Sequence, residues 1–231
     1  MVHISLLGDS ISRGVVLDEE RDRYVLLKTA FTGELQARLP IAFYNFSKFG
    51  ATVALGQARL MQERKYIGRS HYTLLEFGGN DCDYDWEAVS GAPQAYHVCK
   101  TPLPQFEAVY ARMIDQVRAC GSVPVMMTLP PIDAKRYFAR IARGRDARHL
   151  LQFLGDVEHI ARWQARYSAC ASLLAQRLRV PILDVRSAFL VQESYVDLLC
   201  ADGIHPNEKG HALIADTICE QTQQFMCVSG L

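Results

Sequence analysis

The stretch His3-Ile4-Ser5-Leu6-Leu7-Gly8-Asp9-Ser10-Ile11 opens the chain with an apolar run that stops at a glycine and turns onto a serine. An unbroken apolar run suits a strand buried on both faces of a parallel sheet better than clean alternation does. A serine on a sharp turn from strand to helix exposes its Oγ and aims its backbone N–H into the same space. Alone, Ser10 reads equally well as the cap of the helix that follows.

Outward from this stretch, the same kind of run recurs at 41–46, 72–77, 123–129 and 180–185. Between the runs lie segments of helical period. In 105–120, Phe106, Val109, Met113 and Val117 recur at steps of three and four, with Gly121 at the C-cap position. In 159–178, Ile160, Trp163, Tyr167, Ala171, Leu174 and Leu178 keep that period, and a last helix starts near Pro206. Strands alternating with helices predict an α/β fold, a three-layer α/β/α sandwich on a central five-stranded parallel sheet. One domain over 1–231 is expected, with insertions near 82–101 and 133–158 that overhang the ligand-binding end of the sheet.

Composition narrows the function. Lys+Arg and Asp+Glu are equal at 25 each, so no global field draws the chain to nucleic acid. Seven cysteines without a C-x-x-C pair read as mostly buried reduced thiols, not a disulfide framework or zinc site. No run approaches the length of a membrane span, and the N-terminal apolar run is too short for a signal peptide, so a cytoplasmic location is expected.

Three further stretches carry candidate chemistry, two of them where expected strands end. Asp202-Gly203-Ile204-His205-Pro206 sets a carboxylate three residues before a histidine, on a turn entering a helix. That spacing lets Asp202 fix one ring nitrogen of His205 while the other faces outward as a base for a hydroxyl nucleophile. By itself His205 is also an ordinary helix-start residue. The stretch 45–51 offers the Gly50 N–H, and Glu76-Phe77-Gly78-Gly79-Asn80-Asp81 offers the Asn80 amide, both donors of the kind a developing oxyanion needs.

In that order these blocks resemble the SGNH (GDSL-type) hydrolase family. The likeness runs from Gly8-Asp9-Ser10-Ile11 to Asp202-Gly203-Ile204-His205-Pro206, with Ile11 where the family name has leucine. The second block is the loosest, and Gly56 rivals Gly50 there. The resemblance implies a flavodoxin-like sandwich and a cofactor-free, metal-free mechanism. In it Ser10 attacks an acyl carbonyl, His205 takes the proton, Asp202 orients His205, and Ser10, Gly50 and Asn80 form the oxyanion hole. The expected partner is a small-molecule or carbohydrate acyl ester, with short acyl groups favoured over thioesters and lysophospholipids.

Two other classes compete. A metal-dependent phosphoesterase would use Asp9, Asn80, Asp81, Asp202 and His205, but such sites want several histidines and bridging carboxylates. A non-catalytic carbohydrate-binding module is the other. Asp9, Asp81 and Trp86 are candidate substrate contacts by position. Arg140 and Arg143, in the basic segment 134–150, are candidates for gripping an anionic substrate group; a solvated helix face explains them as well.

Overall fold

Strand β1 (Val2–Gly8) runs into a single turn of helix, α1 (Ser10–Arg13), in the computed structural model, which describes residues 1–229 and side chains as far as 222. A hairpin of β2 (Val15–Asp18) and β3 (Arg23–Leu26) follows, then α2 (Phe31–Arg38) and β4 (Ile41–Asn45). Helices α3 (Val53–Gln62) and α4 (Arg64–Ile67) lead to β5 (Tyr72–Glu76); α5 (Trp86–Gly91) and α6 (Leu103–Ala119) lead to β6 (Val123–Met127). Next come α7 (Ala134–Ile141), α8 (Ala147–Leu154), α9 (His159–Arg177), the short β7 (Ile182–Leu183), α10 (Val185–Leu190) and α11 (Glu208–Ser229).

The five-stranded sheet has the order β4-β1-β5-β6-β7, every pairing parallel. The expected α/β sandwich on a five-stranded parallel sheet is therefore what forms. Adjacent residues explain the unbroken apolar runs. Leu6, Leu74 and Met127 enter one core with α2, α10 and α11, while Leu7, Leu75 and Met126 enter the other with α3, α6 and α9. Chain direction along the sheet reverses at β1, which leaves a crevice beyond the C-terminal ends of β1 and β5. Open α/β sheets bind ligands at such a switch point.

The hairpin β2–β3 escapes sequence reading. Its connection, Glu19-Glu20-Arg21-Asp22, carries no Asn-Gly or Asp-Gly signal, and Asp22 itself takes the left-handed conformation at φ 44. The insertion at 82–101 contains α5, capped by Asp85 through the N–H groups of Glu87 and Ala88. The last helix starts two residues after Pro206, where Asn207 accepts from the Gly210 N–H as its cap. All six cysteines whose side chains are described are free, though only Cys82, Cys99 and Cys200 are buried. Among the described residues no helix is long and apolar enough to cross a membrane.

Helices α5, α7 and α8 build a third apolar cluster over the C-terminal end of the sheet, with Trp86, Ile141, Leu150, Leu154 and Ile160 buried in it. Segments 82–101 and 133–158 thus supply a wall above the crevice.

Candidate active site

The turn after β1 is tight for a stated reason. A Cβ on Gly8 would lie 2.6 Å from Ser12 Oγ, so only glycine admits α1 this close to the strand end. Asp9 accepts from the Ile11 N–H at 2.9 Å and starts the helix, leaving Ser10 as its first residue, buried at the crevice floor.

His205 reaches Ser10 from the opposite end of the chain. Its Nε2 lies 2.9 Å from Ser10 Oγ, and its Nδ1 lies 2.6 Å from Asp202 Oδ2. The other Asp202 oxygen accepts the backbone N–H groups of Ile204 and His205 at 3.1 and 3.2 Å. Burial alone raises the Asp202 pKa; the hydrogen bond and charge of His205, with those two N–H groups, outweigh it and hold the carboxyl below its usual range. An ionised Asp202 keeps the imidazole proton on Nδ1, which frees Nε2 to accept from the Ser10 hydroxyl. Gly203 makes this turn possible at φ +76, pressed so closely on α7 that a Cβ would meet Asp133 O at 2.6 Å.

Asn80 follows β5 across the switch point. Its Nδ2 donates to Asp9 Oδ2 at 3.0 Å, which orients the amide beside the Ser10 turn. The loop bearing Gly50 is tied down on both sides: Lys48 N–H donates to Gly8 O at 3.1 Å, and Val53 N–H to the buried Asp81 carboxylate at 3.0 and 3.1 Å. Gly50 adopts φ +73, and its N–H has no partner among the described residues. The rival Gly56 has its N–H engaged by Thr52 O within α3, and a Cβ there would strike the Phe77 ring at 2.2 Å.

A cleft of about 100 Å³ opens beside Ser10, Asn80 and His205, walled by Tyr84, Trp86, Tyr137 and Trp163. Gly50 is not on its lining but stands exposed behind Phe49, whose ring stacks on His205 at 6.1 Å. Tyr24, from the hairpin, joins the same aromatic cluster, its ring 5.1 Å from His205 and 5.2 Å from Phe49. Asp83 organises the wall, accepting from Trp86 Nε1 and Tyr137 OH, each at 2.7 Å, and from Lys100 Nζ at 2.8 Å.

Several expected contacts lie elsewhere. Arg140 and Arg143 both bind Asp22 at the hairpin tip, and Arg140 also sits 5.6 Å over the Tyr24 ring. They brace the hairpin against α7 and are absent from the cleft lining, because their counter-ion comes from a turn more than a hundred residues upstream. Asp81 faces the Val53 N–H and not the cleft, and burial raises its pKa to about 6. Asp9 and Trp86 do line the cleft. The carboxylates that the metal reading needs are each engaged by other groups: Asp202 by His205, Asp9 by Ile11 and Asn80, and Asp81 by Val53. Among the described residues no three metal-ligating side chains cluster.

A hydroxyl, an imidazole and a carboxylate in series at the switch point of a parallel sheet are the attributes of an α/β ester hydrolase. The model of the GDSL-like lipase/acylhydrolase family matches residues 6–213, and the chain belongs to that family. Solved structures share the fold. A lipase/acylhydrolase from Enterococcus faecalis has TM-score 0.68 at 19% identity, over 96% of this chain and 95% of that one. A catalytic mutant of an acetylxylan esterase from Geobacillus stearothermophilus gives 0.67 at 17%, over 95% and 93%. An esterase from Pseudoalteromonas sp., inhibited by monoethylphosphonate, gives 0.61 at 16%, over 98% and 99%. No curated protein matches the sequence.

Proposed function

We propose that the chain hydrolyses short-chain carboxylic esters, acetyl esters of small molecules or carbohydrates foremost, with Ser10 as nucleophile. The observation that carries this is the Asp202–His205–Ser10 series, at 2.6 and 2.9 Å, on the floor of a cleft of about 100 Å³. As Oγ attacks the acyl carbon, its proton passes to His205 Nε2, and the imidazolium that forms is stabilised by Asp202. The oxyanion accepts hydrogen bonds from the Ser10 N–H and the Asn80 amide, which line the cleft; the unpartnered Gly50 N–H, off that lining, is the candidate third donor. His205 then protonates the departing alcohol, and a water activated by the same nitrogen releases the acid from the acyl-enzyme.

Volume argues for a short acyl group. The cleft is smaller than the roughly 150 Å³ cavity that holds a benzene ring, which favours a short acyl group over a long chain. The acetylxylan esterase of the same fold supports a carbohydrate on the alcohol side.

A panel of p-nitrophenyl esters from acetyl to long-chain, run beside acetylated sugars and an acyl-CoA, tests the proposal. Acetyl or propionyl should be hydrolysed fastest, a fluorophosphonate should label Ser10, and Ser10→Ala should lose on the order of 10³-fold or more in kcat. Rates rising steadily with chain length would favour a lysophospholipid or thioester substrate instead.

A further inference from the structure

We propose that Glu76 is a positioning residue for the oxyanion hole: held as the neutral acid, it donates its Oε1 proton to Asp9, which stays ionised and holds the Asn80 amide in place. The inference deepens the serine-hydrolase reading and rests on it.

Glu76 is the last residue of β5, in register with Gly8, and is 0% exposed. Its Oε2 accepts from Ser12 Oγ at 2.9 Å and from the Asp9 N–H at 3.4 Å. Its Oε1 is buried with no hydrogen-bond partner among the described residues. A buried anionic oxygen without a donor is costly. Yet the Asp9 carboxyl lies within hydrogen-bond reach of Glu76. A proton on Oε1 turns this orphan acceptor into a donor and resolves the site.

The proton belongs on Glu76 and not on Asp9, because both Asp9 oxygens already accept N–H groups, Oδ1 from Ile11 at 2.9 Å and Oδ2 from Asn80 at 3.0 Å. Those donors oppose the burial that raises the Asp9 pKa, and two adjacent carboxyls resist ionising together. The remaining titratable groups facing the pair are His205, Asp81 and the Tyr110 hydroxyl, which donates to Leu75 O. Burial, then the Asp9 charge, raises the Glu76 pKa well above the ordinary carboxyl range.

When Glu76 ionises at high pH, two anions share one buried site, and their repulsion displaces Asp9 and with it the Asn80 amide that it holds. Since Asn80 acts on charge that exists only in the transition state, the loss should fall on kcat and spare KM. The test is the pH profile of kcat on p-nitrophenyl acetate for wild type, Glu76→Gln, Glu76→Leu and Asn80→Ala. An amide reproduces the neutral acid, with its oxygen accepting from Ser12 and the Asp9 N–H and its nitrogen donating to Asp9. The wild type should show a fall in kcat at alkaline pH that Glu76→Gln lacks. Glu76→Leu should lose on the order of 10²-fold, as for removal of one oxyanion donor, and Glu76→Gln should recover at least about tenfold of that. In an Asn80→Ala background, Glu76→Leu should add little further loss.

A Glu76→Gln enzyme as slow as Glu76→Leu, or one keeping the wild-type alkaline fall, overturns the proposal. So does a Glu76→Leu loss undiminished in the Asn80→Ala background. Failure of the parent reading has its own signature: undiminished turnover by Ser10→Ala.

Discussion

His211 sits one helical turn past the entry to α11, fully buried and stacked on Phe31 at 6.0 Å, with both ring nitrogens unpartnered among the described residues. Burial, then the nearby charge of His205, lowers its pKa from 6.5 to about 4. The unfolded chain therefore binds this proton at a higher pH than the folded one. Its contribution to stability is complete above about pH 6.5 and disappears as pH falls through about 4, a loss of up to about 3 kcal/mol. Denaturant titrations at pH 7 and pH 4.5 should show this loss in the wild type and much less of it in His211→Leu, which removes no hydrogen bond. Parallel losses in the two proteins would defeat the assignment. Ser10, Asn80, Asp202 and His205 are legible in the sequence because each stands in a contiguous block whose spacing carries chemistry. Glu76, Tyr24 and Phe49 are not, because what they do depends on partners brought together by the fold. Arg140 and Arg143 mislead for the same reason: a basic run invites an anionic ligand until Asp22 arrives from a distant hairpin.

Between elements, the Asp202–His205 turn packs closely on the start of α7. Gly203 lies in the left-handed region against Asp133 O, while Gly144, at φ +73, has open space around it. Gly144→Ala should therefore cost only backbone strain, about 1 kcal/mol. Gly203→Ala must also displace main chain, so it should lower Tm further and reduce kcat as His205 moves from Ser10. Thermal melts and kcat for both variants, with equal Tm losses and intact kcat as the contrary result, decide it. The strands are readable from dense apolar runs because the central ones are covered on both faces. The β2–β3 hairpin is not, since it packs over the active site, not in the sheet, and turns without glycine.

Across the molecule, floor and wall of the cleft come from different bodies of packing. Ser10 and Asn80 follow the ends of central strands, whereas Trp86, Leu154 and Ile160 belong to the third apolar cluster. Ile160→Ala should enlarge the cleft at a cost of about 2–5 kcal/mol in stability. The butyryl-to-acetyl ratio of kcat/KM should rise with it. A ratio that stays fixed would mean that the acyl group binds elsewhere. Because the wall packs as a cluster of its own, its side chains can be exchanged without disturbing the strand ends and turns that hold Ser10, His205 and Asp202 in series.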